Sequence, residues 1–475
     1  MKKKEQSSLV ISRRILVYAL LHVFFDVLFA IWIVLNMQIP IGDPYEKVIF
    51  PWVVLFICID LIGFLIARVD FAHIGLWFAG LSFAFMFGNV LLEALALDTS
   101  LTWDPSVYYS NQEKFISSAY ALMCINALSL GSILVTKRGN ADGIILPEED
   151  DLQRKTGIVC LAIGFPASLF QSLQVVQATQ ASGSYETYAT ANTSVIIDDL
   201  SYLFVVGVIL LVVSKAVRRS RSLMLVACSC FYFVLMMVLS GSRKFALFGV
   251  IAIALCYLWA YRSERFSPRK TIMVIIAGIL LLNLLYVIRE YRTDLASILP
   301  HYIDSLLSFN FFNLLGEVFA ETGLTFYSVV GIMATVPSIF PFEMGATFFR
   351  SLFSFLPIGW LVGDFFTKAA STQVINAYTG IPVGASLFGD FYWNWGFAGG
   401  VVASLAFGIV LGMVFNRLII IKPNPALYFS ILYIALVGVR AGVVEIFRPL
   451  VMVTLLPYLI SELIKNRSGR VKDLA

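Results

Sequence analysis

The sequence predicts an all-α polytopic membrane protein: one integral domain over residues 1–475, with about twelve transmembrane helices and one large extracytoplasmic or re-entrant element at 289–390. Three observations predict it. Hydrophobic residues make up 59% of the chain and charged residues 13%, with a mean hydropathy of +0.86, too apolar for a surface wetted on all sides. Apolar runs of the roughly 17–25 residues that a bilayer core demands recur along the chain. Lysine and arginine divide unequally between alternate connecting loops, as in a multi-pass protein. No polar stretch is long enough to make a separate soluble domain.

The basic start, MKKKEQSSLVISRR, runs into an apolar segment at 15–37 without a small-residue cleavage site, so it reads as a cytoplasmic tail and first span rather than a removed signal peptide. Eight more apolar runs precede residue 290, at about 48–67, 71–97, 114–136, 157–178, 195–214, 222–240, 245–261 and 271–288. Three close the chain, at 391–415, 426–441 and 447–464. Alternation from an inside start puts both termini in the cytoplasm, with 24 of the 34 Lys and Arg residues inside and 10 outside. The stretch 322–340, TGLTFYSVVGIMATVPSIF, is also apolar enough to span. A lone crossing there would carry the KPNP loop and the basic C-terminal tail outside. It is therefore expected, with the later apolar stretch 352–362, as interfacial or re-entrant helices, or as a hairpin pair. The Gly-, Pro-, Thr- and aromatic-rich element 289–390 is where a site would be built.

The six cysteines lie in apolar runs without a CxxC, and the three histidines are far apart. No metal ion, other cofactor or nucleic-acid partner is expected. Asp26 and Asp60 fall inside spans with no evident partner.

The ten outer cations are Lys47, Lys114, Arg243, Lys244, Arg289, Arg292, Arg350, Lys368, Arg440 and Arg448. Each alone reads as a snorkelling anchor, or as the partner of an acid such as Glu290, Glu445 or Asp294. Five of them, Arg243, Arg289, Arg292, Arg440 and Arg448, recur at outer span ends, which points to a shared anion-binding mouth. Arginine suits bidentate phosphate recognition, and the anion met at this depth is the diphosphate of a polyprenyl-linked glycan. Arg350 and Lys244 extend the candidate set. Tyr392, Trp393 and Trp395, in GDFYWNWG, are candidates for sugar faces, although interfacial aromatics occur in any membrane protein. Among the acids Glu317, Glu321, Asp364 and Asp390, the better candidates for orienting or deprotonating a hydroxyl are Glu321 and Asp390, each of which can equally pair with an arginine.

The order of GSRK (241–244), VIREYR (287–292), AETGLTFYSVVGIMATVPSIFPFEMGATFFRSLFSFLP (320–357) and GASLFGDFYWNWGFAGG (384–400) resembles the O-antigen and capsule repeat-unit polymerases of the Wzy type, best over about 236–415. The resemblance implies a glycosyltransferase of the C superclass. It would transfer a growing glycan from undecaprenyl diphosphate to the next lipid-linked repeat unit, at the outer face of the cytoplasmic membrane and without a metal. It implies lipid-linked oligosaccharide and membrane lipid as partners, with a chain-length regulator and a flippase of the same pathway. Arg243 matches the arginine of the family's GSR turn, Arg289 and Arg292 the cluster after the next span, and Glu321 the E-x-G-x-T stretch. Asp390 stands where relatives commonly carry Glu in a GExYxNFG-like pattern, and Trp395 where they carry Phe. In this reading Arg289 stabilises the leaving diphosphate beside Glu321 and Asp390. An O-antigen-type ligase or a lipid-linked oligosaccharide flippase is the alternative.

Overall fold

A computed structural model describes residues 13–37, 44–137, 147–182, 195–240, 243–262, 268–291, 295–356, 365–366, 368, 370–381 and 384–472. The described residues are helical, with no strand among them. Nine helices precede the long element: α1 (Arg13–Asn36), α2 (Tyr45–Ala67), α3 (Ile74–Ala94), α4 (Asn111–Val135), α5 (Pro147–Ser182), α6 (Val195–Val213), α7 (Arg219–Ser240), α8 (Lys244–Ala260) and α9 (Pro268–Tyr291). Five short ones follow: α10 (Leu295–Leu307), α11 (Phe311–Gly323), α12 (Phe326–Thr335), α13 (Ala346–Leu352) and α14 (Ser371–Thr379). The last three are α15 (Leu387–Phe415), α16 (Pro425–Gly438) and α17 (Val443–Lys472). Each of the twelve apolar runs of the sequence coincides with one of these helices.

Among the described residues, ten helical segments are long and apolar enough to cross a membrane, so the chain is a polytopic membrane protein. The helices Lys244–Ala260 and Pro425–Gly438 are shorter and equally apolar. One of the ten is Phe311–Thr335, which combines α11 and α12. A link at Leu324 and Thr325 tightens the chain between them through i to i+3 backbone bonds. Gly316 of α11 packs on the Asp98 carbonyl and Gly323 on Asn89, while α12 sets Tyr327 and Gly331 against Tyr109. Those neighbours lie at or beyond the end of α3 and just before α4, so the pair is gathered toward the end of the bundle where α3 stops and α4 starts, called here the α3–α4 end.

Close helix contact is made by small residues, since lipid provides no hydrophobic drive to bring two apolar helices together. Along the α4–α15 seam, a side chain at Gly408 would lie 2.0 Å from the Leu128 carbonyl oxygen, and one at Gly131 would lie 2.3 Å from that of Leu405. Helix α4 is fixed at its start by a capping box, in which Ser110 Oγ accepts from the Glu113 amide and Glu113 accepts from the Ser110 amide. Helix α15 breaks at Gly396, whose φ of 66° and ψ of −166° are accessible to glycine alone. Its first part, 387–395, is thereby turned relative to the second and lies across Tyr120 of α4, whose hydroxyl donates to the Phe388 carbonyl at 2.9 Å.

The two intraspan acids find one partner. His22 of α1 meets Asp26 through Nδ1 at 2.8 Å and Asp60 of α2 through Nε2 at 3.0 Å. Asn126 of α4 donates to Asp26 at 3.3 Å. His22 is fully buried, and the far face of α1 is exposed and apolar at Leu20, Phe24, Val27, Ile31 and Val34. The cluster is what ties this otherwise greasy helix to α2 and α4, at the depth where unpaired charge is most costly.

Candidate functional site

At the α3–α4 end, segments far apart in sequence bring three arginines and two glutamates together. Arg243 sits immediately before α8. Its Nη2 donates to Glu321 Oε1 at 2.9 Å and its Nη1 to the Leu285 carbonyl of α9 at 3.3 Å. Arg440, in the turn after α16, approaches the same Glu321 oxygen at 3.7 Å. Arg289, in the last turn of α9, pairs with Glu317 of α11 and also donates to Ser100 Oγ at 3.0 Å and Glu290 at 3.3 Å. Glu317 and Glu321 are four residues apart on α11, so they share one face and present a carboxylate to each arginine group.

These side chains are largely withdrawn from solvent: 7% exposed for Arg289, 8% for Glu317, 13% for Arg243 and 18% for Glu321. Charges that dry are retained only with partners. The carboxylate of Glu317 also accepts from the Ser100 amide and from Thr99 Oγ1, which brings the 98–100 loop against α11. Nε of Arg289 is buried without a hydrogen-bond partner. The five residues surround a cavity of about 90 Å3 whose remaining walls are mostly apolar, from Phe85, Leu247, Leu282 and Val318, with Tyr286 and Thr322. In mostly apolar surroundings little water screens these charges, so the pull of each arginine on a carboxylate or other anion is stronger than at an open surface.

The other expected residues lie elsewhere. Lys244 pairs with Glu445 at 2.7 Å, near the start of α17. Arg350 of α13 bonds Glu343 at 2.9 Å. Arg448 ties α17 to the start of α6, through Asp199 at 2.7 Å and the Val195 carbonyl at 2.8 Å. Arg292, Asp294 and Asp364 fall outside the described residues. Asp390 is 1% exposed; its two oxygens accept from Ser371 Oγ and from the Val443 amide, joining α15 to the starts of α14 and α17. It does not line the arginine cavity.

The aromatic run is largely packing. Trp393 is 2% exposed, with Nε1 donating to the Pro341 carbonyl at 3.2 Å. Tyr392 donates to the Val336 carbonyl at 3.4 Å. Trp395 is 38% exposed, with its ring against Phe348 at 5.0 Å. The polar loop LDTSLTWDPSVYYSNQE (97–113) reads from sequence as a sugar contact or a solvated connector, with connector favoured; its contact with α11 at Thr99 and Ser100 leaves no local signal. Sequence reasoning missed Tyr286, which has Arg289 5.4 Å from its ring centre and was detectable as the residue one helical turn before it.

Comparison with curated proteins and with solved structures gives no match. The family model described as O-antigen polysaccharide polymerase Wzy matches residues 18–467, nearly the whole chain and far more than the 236–415 region that carried the resemblance by eye. The chain belongs to the O-antigen polysaccharide polymerase Wzy family.

Proposed function

We propose that the protein transfers a growing glycan from undecaprenyl diphosphate to the next lipid-linked repeat unit, at the outer face of the cytoplasmic membrane, with Arg243, Arg289 and Arg440 holding the diphosphate. The observation that carries this is the convergence of the three arginines on one cavity from segments spread over about 200 residues of the chain. A diphosphate bonded to a lipid lies at headgroup depth, where span ends lie. In the transfer, a hydroxyl oxygen of the acceptor bonds to the anomeric carbon of the donor sugar, and the bond from that carbon to the diphosphate oxygen breaks. The hydroxyl proton passes to a carboxylate, for which Glu321 lines the cavity. The guanidinium groups stabilise the charge that grows on the leaving diphosphate, the work a metal ion does in other transferases, so the reaction is read as metal-independent.

Glu317 and Glu321 hold the arginines in place between turnovers, and the diphosphate competes for the same donors when it arrives. The twelve-span topology, both termini cytoplasmic and an architecture of the C-superclass type belong to the same reading. Within it, α11 and α12 enter the membrane and return without crossing. The contacts of both with residues near Asp98 and Tyr109 support that path.

The test is a gel and mass analysis of surface and undecaprenyl-linked glycans in a strain lacking the gene. Loss of long chains while single repeat units persist is the expected result. Full-length chains accumulating on undecaprenyl diphosphate would instead mark a ligase, and single units trapped at the inner leaflet a flippase.

A further inference from the structure

Beside the arginine cavity lies a second, larger cleft of about 510 Å3, between α9, α10, α11 and the 98–100 loop. The two share a wall made by Tyr286 and Glu317. Their chemistry differs sharply. The first is lined by three arginines, whereas among the described residues no lysine or arginine lines the second, whose charged walls are the carboxylates of Asp98, Asp304 and Glu317. An anion is repelled there, while a neutral ligand rich in hydroxyls finds amide, hydroxyl and carboxylate partners in Asn310, Asn313, Ser308 and Asp304, and ring faces in Tyr286 and Tyr291.

Asn283 of α9, at the base of the cleft, supplies the independent mark of a ligand. The residue is 2% exposed. One end of its side-chain amide bonds Ser305 Oγ at 2.8 Å, and the other end has no partner. A buried amide left half satisfied is uncommon in a finished core and is completed by a ligand that reaches it.

The outer wall of the cleft also suits a substrate that arrives on a lipid. Helix α10 folds back along α9, with the Tyr302 hydroxyl donating to the Leu280 carbonyl at 3.3 Å and the Tyr291 and His301 rings stacked with centres 3.9 Å apart. Leu299, Ile303 and Leu307, one turn apart on α10, are 65%, 48% and 83% exposed. Polar groups thus face the cleft from a helix whose opposite stripe suits acyl chains.

We propose that this cleft seats the glycan of the lipid-linked substrate, placing a sugar against Asn283 while the adjoining arginines hold the diphosphate. The proposal rests on the polymerase reading above. The sugar belongs either to the donor, bonded to the diphosphate, or to the acceptor.

A photo-crosslinking residue, p-benzoylphenylalanine, placed at Asn310 or at Asn313 tests it in cells fed a radiolabelled precursor of the glycan. A control position is Tyr458, in a separate cavity lined by α5, α6, α16 and α17. Labelled glycan attached to the protein at 310 and 313, and not at 458, is expected. Adducts carrying long glycan identify the donor, and adducts confined to single repeats while polymer is present identify the acceptor. Phospholipid adducts alone, or no glycan adduct in cells that are making long chains, overturn the proposal while leaving the polymerase reading intact. That reading fails separately, in the deletion strain.

A paired substitution checks the role of Asn283 against mere packing. Asn283→Ala removes both its contacts, whereas Ser305→Ala removes only the bond between α9 and α10. With both proteins at normal membrane levels, Asn283→Ala slows chain extension by about tenfold more than Ser305→Ala, the factor of one net hydrogen bond. Equal effects would assign Asn283 to packing and overturn its role in binding.

Discussion

Replacing Arg243 by alanine separates a substrate-binding role from a structural one more cleanly than any other change in the cavity. Arg243 makes a charged bond to Glu321 at 2.9 Å, a carboxylate largely withdrawn from solvent. Arg440 stands 3.7 Å from the same oxygen and remains as its counter-charge. The folding cost is then about 1 kcal/mol, far below the roughly 3–5 kcal/mol of breaking a fully buried pair. The effect on transfer is larger. Two charge-assisted bonds from one guanidinium to a diphosphate, at about 1.5 kcal/mol each, sum to about 3 kcal/mol, and each 1.36 kcal/mol is tenfold in rate, so extension slows by roughly 100-fold. The assay is the glycan ladder of a deletion strain complemented with the variant, alongside an immunoblot of membranes for protein level. Normal protein with the ladder collapsed to one or a few repeats is the expected outcome. A wild-type ladder at normal protein level would refute the assignment of Arg243 to the diphosphate, and with it the claim that the cavity is the reacting site.

Arg289→Ala behaves differently: it leaves Glu317, 8% exposed, with only neutral donors from the 99–100 loop, costs about 3–5 kcal/mol and lowers membrane protein level as well as activity on the same blot and ladder. Arg350→Ala, outside the lining of the cavity and paired with the partly buried Glu343, leaves the ladder length unchanged to within about twofold at normal protein level on the same blot, since it removes a contact between α13 and the segment before it and none to the diphosphate. His22→Ala strands Asp26 and Asp60 inside the bundle and is destabilising by about 3–5 kcal/mol; adding Asp26→Asn and Asp60→Asn recovers much of the loss in a thermal-shift assay on purified protein. Gly408→Leu drives a side chain into the Leu128 carbonyl, 2.0 Å from where its Cβ would stand, parts α4 from α15, and removes folded protein from the membrane as judged by size-exclusion chromatography in detergent.

The helices were legible in the sequence because a bilayer imposes one length and one composition on every span, and twelve apolar runs are visible without knowledge of their neighbours. The candidate cavity was half legible. Arg243, Arg289, Arg440 and Glu321 stood out as charge at span ends, but their pairing did not, since Arg243 and Glu321 are 78 positions apart and nothing local links them. Asp390 and the aromatic run show the limit of reading a motif as a list of residue types. Asp390, Trp393 and Asn394 stand at i, i+3 and i+4 on one helix and face inward together, where their polar atoms are used by Ser371, Val443, Pro341 and Thr347. Only the break at Gly396, hidden within an apolar run, decides which way that face turns. Helix α10 was not anticipated at all: its thirteen residues are too short to span, and its return along α9 is fixed by Tyr302 and Ser305, single polar residues with no periodic signature.

The dependence of Arg243 and Arg289 on Glu321 and Glu317 sets an order on the protein's own birth. In chain order both arginines precede both glutamates, and Arg440 follows Glu321 only after more than a hundred further residues. Until α11 is in place, Arg243 lacks Glu321 and Arg289 has only Glu290 of its two carboxylate partners. The arrival of α11 is then the event that draws the ends of α8 and α9 together, so the two carboxylates that pair with the arginines in the folded protein also close its assembly.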